Sequence, residues 1–178
     1  MSVHPPPSSG HAEVRLRPLL RNDADAWFGC LSRPGLLEHT SWQLASVADL
    51  APIFDALEAP APTTQIRLAI VDAAGALVGS IGFHSIHAQH GSAEIAYELV
   101  PEYQGRGIAS AVCRQVCAWG FSSFGWQRIQ ACVLDTNAAS AAVLRRCGFD
   151  YEGRLRRLRR VAGQSRDFDV YARLAADG

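Results

Sequence analysis

Between a strand-like and a helix-like segment lies Gln104-Gly105-Arg106-Gly107-Ile108-Ala109, the stretch of this chain with the plainest chemical meaning. The first turn of a helix leaves backbone N–H groups without partners, and the aligned peptide dipoles put partial positive charge there. Glycines let the backbone wrap closely round an anion. A pyrophosphate is a natural ligand for such a turn. The plain structural alternative is a glycine-rich turn that holds nothing. Two better-known phosphate loops are excluded. A Walker A loop needs Gly-Lys-Ser/Thr, and Lys is absent from the whole chain. A dinucleotide fingerprint needs a third glycine near the first strand of a βαβ unit. Upstream, Glu94 and Glu98 stand four apart in a strand-like segment, an even spacing that turns both carboxylates to one face.

The elements that must position these groups follow from periodicity. Val14, Leu16 and Pro18 alternate with Glu13, Arg15 and Arg17, which predicts a first strand with one buried face. Asn22 or Asp23 can cap a helix over Ala24–Leu31 that Pro34-Gly35 stops. The segment from Leu36 to Pro62 is harder to read, but Ser46 and Asp49 give a cap-like start. Leu50, Ile53, Phe54 and Leu57 then sit at helical spacing. Gln65–Val71, Ala76–His87 and Ala93–Val100 read as an antiparallel meander joined by short Gly-containing turns. After Pro101 the period changes, and Ile108, Val112, Val116 and Trp119 predict an amphipathic helix to about Phe121. Gln127–Leu134 is a strand, Asn137–Cys147 a short helix ended by Gly148, and Phe149–Val161 and Asp167–Leu174 a closing pair of strands.

This order predicts an α/β (α+β) fold with a mixed central sheet of about seven strands and helices on both faces. The crossover from Ala93–Val100 to Gln127–Leu134 should be a right-handed parallel unit. The chain has 178 residues, enough for one core, and shows no internal repeat. A disordered tail is expected over residues 1–12 and one domain over 13–178.

Seventeen basic residues, all Arg, balance seventeen acidic ones, which gives no bulk charge for nucleic acid or membrane. The five cysteines are odd in number and lack C-x-x-C spacing, against both a disulfide framework and a structural zinc site. Buried free thiols and no metal are expected. The N-terminal stretch does not read as a signal peptide and no run is long enough to span a membrane, so a cytoplasmic protein is expected.

Gln104, Gly107 and Ala109 at a strand–helix junction resemble the acetyl-CoA motif of the GNAT superfamily. The segment Glu94 to Ala109 is similar to the RimJ/RimL-type branch, whose founding members acetylate ribosomal-protein N-termini. Asn137-Ala138-Ala139-Ser140, Cys147-Gly148-Phe149 and Glu152-Gly153-Arg154-Leu155-Arg156 stand at the family's spacings, and Asp167 and Tyr171 fit its closing strand. The resemblance covers about Glu13 to Leu174.

It implies a splayed parallel pair, Ala93–Val100 and Gln127–Leu134, that holds acetyl-CoA as co-substrate. The backbone of Leu99 and Val100 would pair with the pantetheine amides. The loop of Gln104, Gly105, Arg106, Gly107, Ile108 and Ala109, with Ser110, would bind the pyrophosphate, and Asn137 the cofactor arm or merely its own helix as N-cap. The implied chemistry is attack of an uncharged amine on a thioester, which needs a base, a carbonyl donor and an acid for the thiolate. Glu94 is the preferred base and Glu98 the second choice, with His84 and His87 on the neighbouring strand as possible helpers. Two carboxylates in one cleft would raise one another's pKa.

Many GNAT enzymes carry a Tyr seven residues after the Asn as the acid, and here that position is Leu144. The RimJ/RimL-type branch has a Ser three after the Asn, which makes Ser140 the candidate. His39 and Trp42 are expected to wall the acceptor site. The expected acceptor is a primary amine of a protein N-terminus or small molecule, and a homodimer is an admissible assembly. The alternative is a non-catalytic acyl-CoA-binding module, kept open by Leu144. A third reading, RNA binding through Arg145, Arg146, Arg154, Arg156, Arg157, Arg159 and Arg160, lacks interleaved aromatics.

Overall fold

The computed structural model describes residues 4–60 and 63–177. Met1–Val3 of the expected tail, Ala61-Pro62 of the segment that resists reading, and Gly178 lie outside them. Seven strands form one sheet: β1 (Val14–Pro18), β2 (Ile66–Asp72), β3 (Leu77–His87), β4 (Ser92–Leu99), β5 (Arg128–Leu134), β6 (Asp150–Val161) and β7 (Gln164–Leu174), in the spatial order β1-β2-β3-β4-β5-β7-β6. Four helices pack on it: α1 (Ala24–Leu31), α2 (Ala51–Glu58), α3 (Ile108–Phe124) and α4 (Ala138–Arg146). The mixed sheet, the meander and the closing hairpin stand as the sequence predicts. The third helix runs past the expected Phe121 to Phe124, where Gly125 ends it in the left-handed conformation at φ +67°.

Alternation along the strands gives the sheet two apolar faces. Leu68, Ile70, Ile81, Phe83, Ile95 and Leu99 face α3 and α4, where Val112, Val116 and Leu144 are completely buried. Ala69 and Val71 face the other way, toward Trp27, Leu31, Leu50 and Phe54 of the α1–α2 layer. At Gly120 α3 comes so near the sheet that a Cβ would meet Ile129 Cδ1 and Phe83 Cζ at 3.0 Å. That close crossing sets the C-terminal half of α3 against the centre of the sheet.

β4 and β5 form the parallel pair, and they pair only at Ser92–Arg128, Ala93–Ile129 and Glu94–Gln130. Beyond Glu94 the strands diverge. β5 continues its ladder with β7 as far as Leu134, and β4 its ladder with β3 as far as Leu99, so each is held from its outer side. A sheet opened in this way exposes one strand edge toward the gap.

Residues 4–12 carry neither helix nor strand. Ser9 is buried and donates to the Val14 carbonyl at 2.6 Å, His11 contacts the Arg106 carbonyl at 3.2 Å, and His4 meets the Phe124 ring edge-on.

Candidate active site

The gap between β4 and β5 opens into a cavity of about 720 Å³. Its lining runs from Gly105, Gly107 and Ser110, past Tyr97 and Ser140, to Glu94, Glu98 and Trp42, so it connects the two faces of the sheet.

At the α3 end the walls are main chain. Gly105 and Gly107 have φ of +74° and +81°, a conformation that side chains disfavour, and no atom lies within 4 Å of a Cβ built on either. The first intrahelical bond of α3 runs from Ala111 N–H to the Gly107 carbonyl at 3.0 Å. The N–H groups of Ile108, Ala109 and Ser110 therefore have no acceptor within the helix. The Ile108 side chain is buried in the core and fixes the axis of the turn. Gln104 does not reach into the loop; its Nε2 donates to the Leu99 carbonyl at 2.7 Å and staples the loop to β4. Arg106 turns outward, to Glu13 at 2.8 Å and over the Tyr103 ring.

Strand alternation turns the N–H and C=O of Ile95, Tyr97 and Leu99 toward the gap, where the Leu99 carbonyl is taken by Gln104 Nε2. Val100 does not share that edge. Its N–H donates to the Val78 carbonyl at 2.9 Å and its carbonyl accepts from Tyr103 N–H at 3.0 Å. The expected pairing of the Val100 backbone with a ligand is corrected accordingly, because both its groups are spent inside the fold.

On the far side of the gap, Asn137 caps α4 by accepting from Ser140 N–H at 3.0 Å. The Ser140 hydroxyl lies 3.0 Å from the Tyr97 hydroxyl. Leu144, one turn on, is fully buried in the core. In sequence Tyr97 reads as one more aromatic strand residue. Only the opening of the sheet turns it into a cavity wall.

At the α1–α2 end the walls are side chains. Glu94 and Glu98 share a face as their spacing predicts, yet their surroundings differ. Glu98 accepts from Arg67 at 2.5 Å, from Trp27 Nε1 at 2.8 Å and from the Ser80 hydroxyl. Arg67 is itself buried, with its guanidinium carbon 5.4 and 5.6 Å from the centroids of the Trp27 and Trp42 rings. Glu94 has looser company: Arg159 reaches it from β6 at 3.1 Å, and His84 Nε2 lies 3.6 Å away. The contacts of each carboxylate thus run to its own arginine. Burial pushes the His84 imidazole below its usual range; Glu94 pulls it up, and Arg67 and Arg159 push it down. Cys132 faces the same chamber, and burial, reinforced by Glu94, pushes its thiol up to about 11.

His39 and Trp42 line this end as expected, but His87 does not. The roles of Arg67, Trp27 and Ser80 were not visible in sequence, since each is one partner of a contact spanning 18 to 71 residues. The arginine cluster divides: Arg159 serves the cavity, Arg154 pairs with Asp169, and Arg145 donates to the Tyr171 hydroxyl. Among the described residues no group of acids, histidines and thiols could hold a metal ion, and no helix is long and apolar enough to cross a membrane.

Residues 13–150 match the family model described as an acetyltransferase (GNAT) domain. The N-acetyltransferase YoaA of Bacillus subtilis is 33% identical over 162 residues, 88% of this chain and 90% of that protein. Mycobacterium smegmatis RimJ, solved with CoA-disulfide, superposes with a TM-score of 0.82 at 28% identity, over 96% of this chain and 85% of that one. Spermidine N-acetyltransferase from Vibrio cholerae, solved with CoA and spermine, gives 0.83 at 21% identity, over 94% and 98%, a likeness of fold. By sequence and by architecture, this chain belongs to the GNAT family and is an acetyl-CoA-dependent N-acetyltransferase.

Proposed function

We propose that this enzyme transfers acetyl from acetyl-CoA directly to the primary amine of a protein N-terminus or a small monoamine, with both substrates bound together. One observation carries the reading: a single cavity joins the free amides at the start of α3 to the carboxylate chamber on the other face. The residues fit the co-substrate. The amides of Ile108 to Ser110 suit its pyrophosphate, and the β4 edge from Ile95 to the Leu99 N–H suits its pantetheine amides. Bound there, acetyl-CoA supplies an activated acyl group.

Direct transfer is favoured over an acetylated cysteine. Cys132, the thiol lining the cavity, is held protonated at neutral pH, and only a thiolate is a competent nucleophile. The Glu94–His84 pair would take the amine's proton as the C–N bond forms. Ser140 would give its hydroxyl proton to sulfur as the C–S bond breaks. Proton return from the pair to Ser140 through solvent completes the balance.

The acceptor class follows from charge. Glu94 and Glu98 are each matched by an arginine, Arg159 and Arg67, so the chamber offers no surplus of acid. A polyamine, with two or more ammonium groups to neutralise, needs such a surplus. A thiol-release assay over N-terminal peptides, monoamines and spermidine tests this. Release should be faster with a peptide or monoamine, and spermidine as the best acceptor would overturn the assignment.

A further inference from the structure

From the hydroxyl pair that bridges the cavity, we infer that Tyr97 is a positioning residue for Ser140, turning the serine's single proton away from the β4 wall and toward the sulfur of the co-substrate. This rests on the reading of Ser140 as the proton donor to sulfur. The two residues come from opposite walls of the gap, Tyr97 from the stretch of β4 that has parted from β5 and Ser140 from the first turn of α4. Both line the cavity where it passes through the sheet. Their hydroxyls are 3.0 Å apart, and the Tyr97 hydroxyl also lies 3.3 Å from the Ser140 carbonyl.

The Ser140 backbone has little freedom, because Asn137 Oδ1 holds its N–H at 3.0 Å. What remains undetermined is the rotation of its hydroxyl, which carries one proton and two lone pairs. Burial pushes the Tyr97 phenol well above its ordinary range, and the groups packed round it are the thiols of Cys113 and Cys117 on α3 and of Cys147 after α4. The thiols of Cys113 and Cys147 are raised in turn. Tyr97 keeps its proton, and of the two acceptors its hydroxyl reaches, Ser140 Oγ at 3.0 Å is nearer than the Ser140 carbonyl at 3.3 Å. A phenol that donates into Ser140 Oγ leaves the serine proton free to point into the cavity. The same bond strengthens the serine as a donor, because hydrogen bonds in a chain polarise one another. A phenol satisfied merely for its own sake would be indifferent to which way the serine proton points.

The test uses CoA itself and needs no acceptor. The ionisation of bound CoA's thiol is followed by thiolate absorbance against pH in wild type, Tyr97→Phe, Ser140→Ala and the double variant. A serine proton aimed at sulfur stabilises the thiolate, so the bound thiol should ionise at lower pH than free CoA. Ser140→Ala should raise that value by about one pH unit, roughly tenfold in ionisation. Tyr97→Phe should raise it by a smaller amount in the wild-type background and by nothing in the Ser140→Ala background. Ser140→Thr, which keeps the hydroxyl, should hold the wild-type value.

The melting shift produced by acetyl-CoA in each variant reports an intact donor site, and the Phe ring keeps the packing of Tyr97. If Ser140→Ala moves the thiol and Tyr97→Phe does not, the Tyr97 inference fails and the Ser140 reading stands. If neither moves it, the Ser140 reading fails and takes the inference with it. If Tyr97→Phe acts equally in both backgrounds, it works independently of the serine and the inference is overturned.

Discussion

The two ends of the cavity are built from different materials. At the start of α3 the lining that matters is peptide backbone: amides freed by a helix terminus, and two glycines at positive φ that keep side chains out of the way. At the α1–α2 end it is side chains from distant elements: Arg67 on β2, Ser80 and His84 on β3, Glu94 and Glu98 on β4, Trp27 on α1 and Arg159 on β6. A backbone site needs a few consecutive residues and recognises something invariant. A side-chain site can be altered one contact at a time, and here the contacts themselves separate two like carboxylates. Glu98 is built into the wall by three donors, whereas Glu94 touches one arginine and stands near the His84 imidazole, which burial holds below its usual range.

That separation is the first thing to break. Glu94→Gln keeps the shape and removes the ionisable oxygen. Its kcat/KM should fall by about 10²–10⁴-fold if proton removal from the amine limits the step. The loss should be greatest above the acid limb of the wild type, where its base is free to accept the proton. Because Glu94 pulls the His84 imidazole upward, the variant should leave His84 titrating lower still. Its residual acid limb should therefore move to lower pH. A Glu94→Gln enzyme with a wild-type profile would remove Glu94 from the chemistry.

Glu98→Gln should speak instead through stability. Arg67 and Glu98 are both nearly buried and pair at 2.5 Å. Removing one partner of a buried ion pair leaves the other uncompensated, which costs about 3–5 kcal/mol. Chemical denaturation should show that loss, with kcat in the surviving folded fraction close to wild type. If Glu98→Gln is instead stable and inactive, the two carboxylates have exchanged roles.

The same contrast explains what could be read in advance. The strand–loop–helix around Gly105 and Gly107 is a local pattern, and so is the Asn137 cap, so the donor end was legible from short segments. The even spacing of Glu94 and Glu98 put both on one face, but not which of them an arginine would immobilise. Arg67 and Trp27 carry no mark in sequence that aims them at Glu98, since those contacts span 31 and 71 residues. Val100 departs from its expected role for a related reason. Alternation fixes which residues share an edge, but the parity of the edge is set by where the ladder with β3 begins.

The donor end can be broken at Gly107. Acetyl-CoA at about 100 times its Kd should stabilise the wild type by about 2.7 kcal/mol, since it binds only the folded state. Gly107→Glu places a carboxylate in the anion site, at a φ of +81° that a side chain resists. The variant should melt lower by itself and lose the further rise with acetyl-CoA. A preserved rise in a folded Gly107→Glu would put the pyrophosphate elsewhere.

The smallest expected effect lies where the two kinds of wall meet, at Asn137. Its side-chain oxygen accepts from Ser140 N–H at 3.0 Å, and the residue also lines the cavity. As a cap it stabilises α4, and Asn137→Ala should cost about 1 kcal/mol. Asn137→Asp separates the cap from any ligand contact. Aspartate caps as well as asparagine and adds a charge that a helix N-terminus favours, so thermal stability should be retained. It lacks the amide donor and brings negative charge toward an anionic co-substrate. If Asn137 also hydrogen-bonds the acetyl-CoA arm, the Asp variant should melt like wild type and bind acetyl-CoA more weakly. Equal acetyl-CoA affinity in wild type, Asn137→Ala and Asn137→Asp would confine Asn137 to the cap. The side-chain wall would then act on the co-substrate only through Ser140, oriented by Tyr97, leaving its recognition to the backbone of β4 and α3.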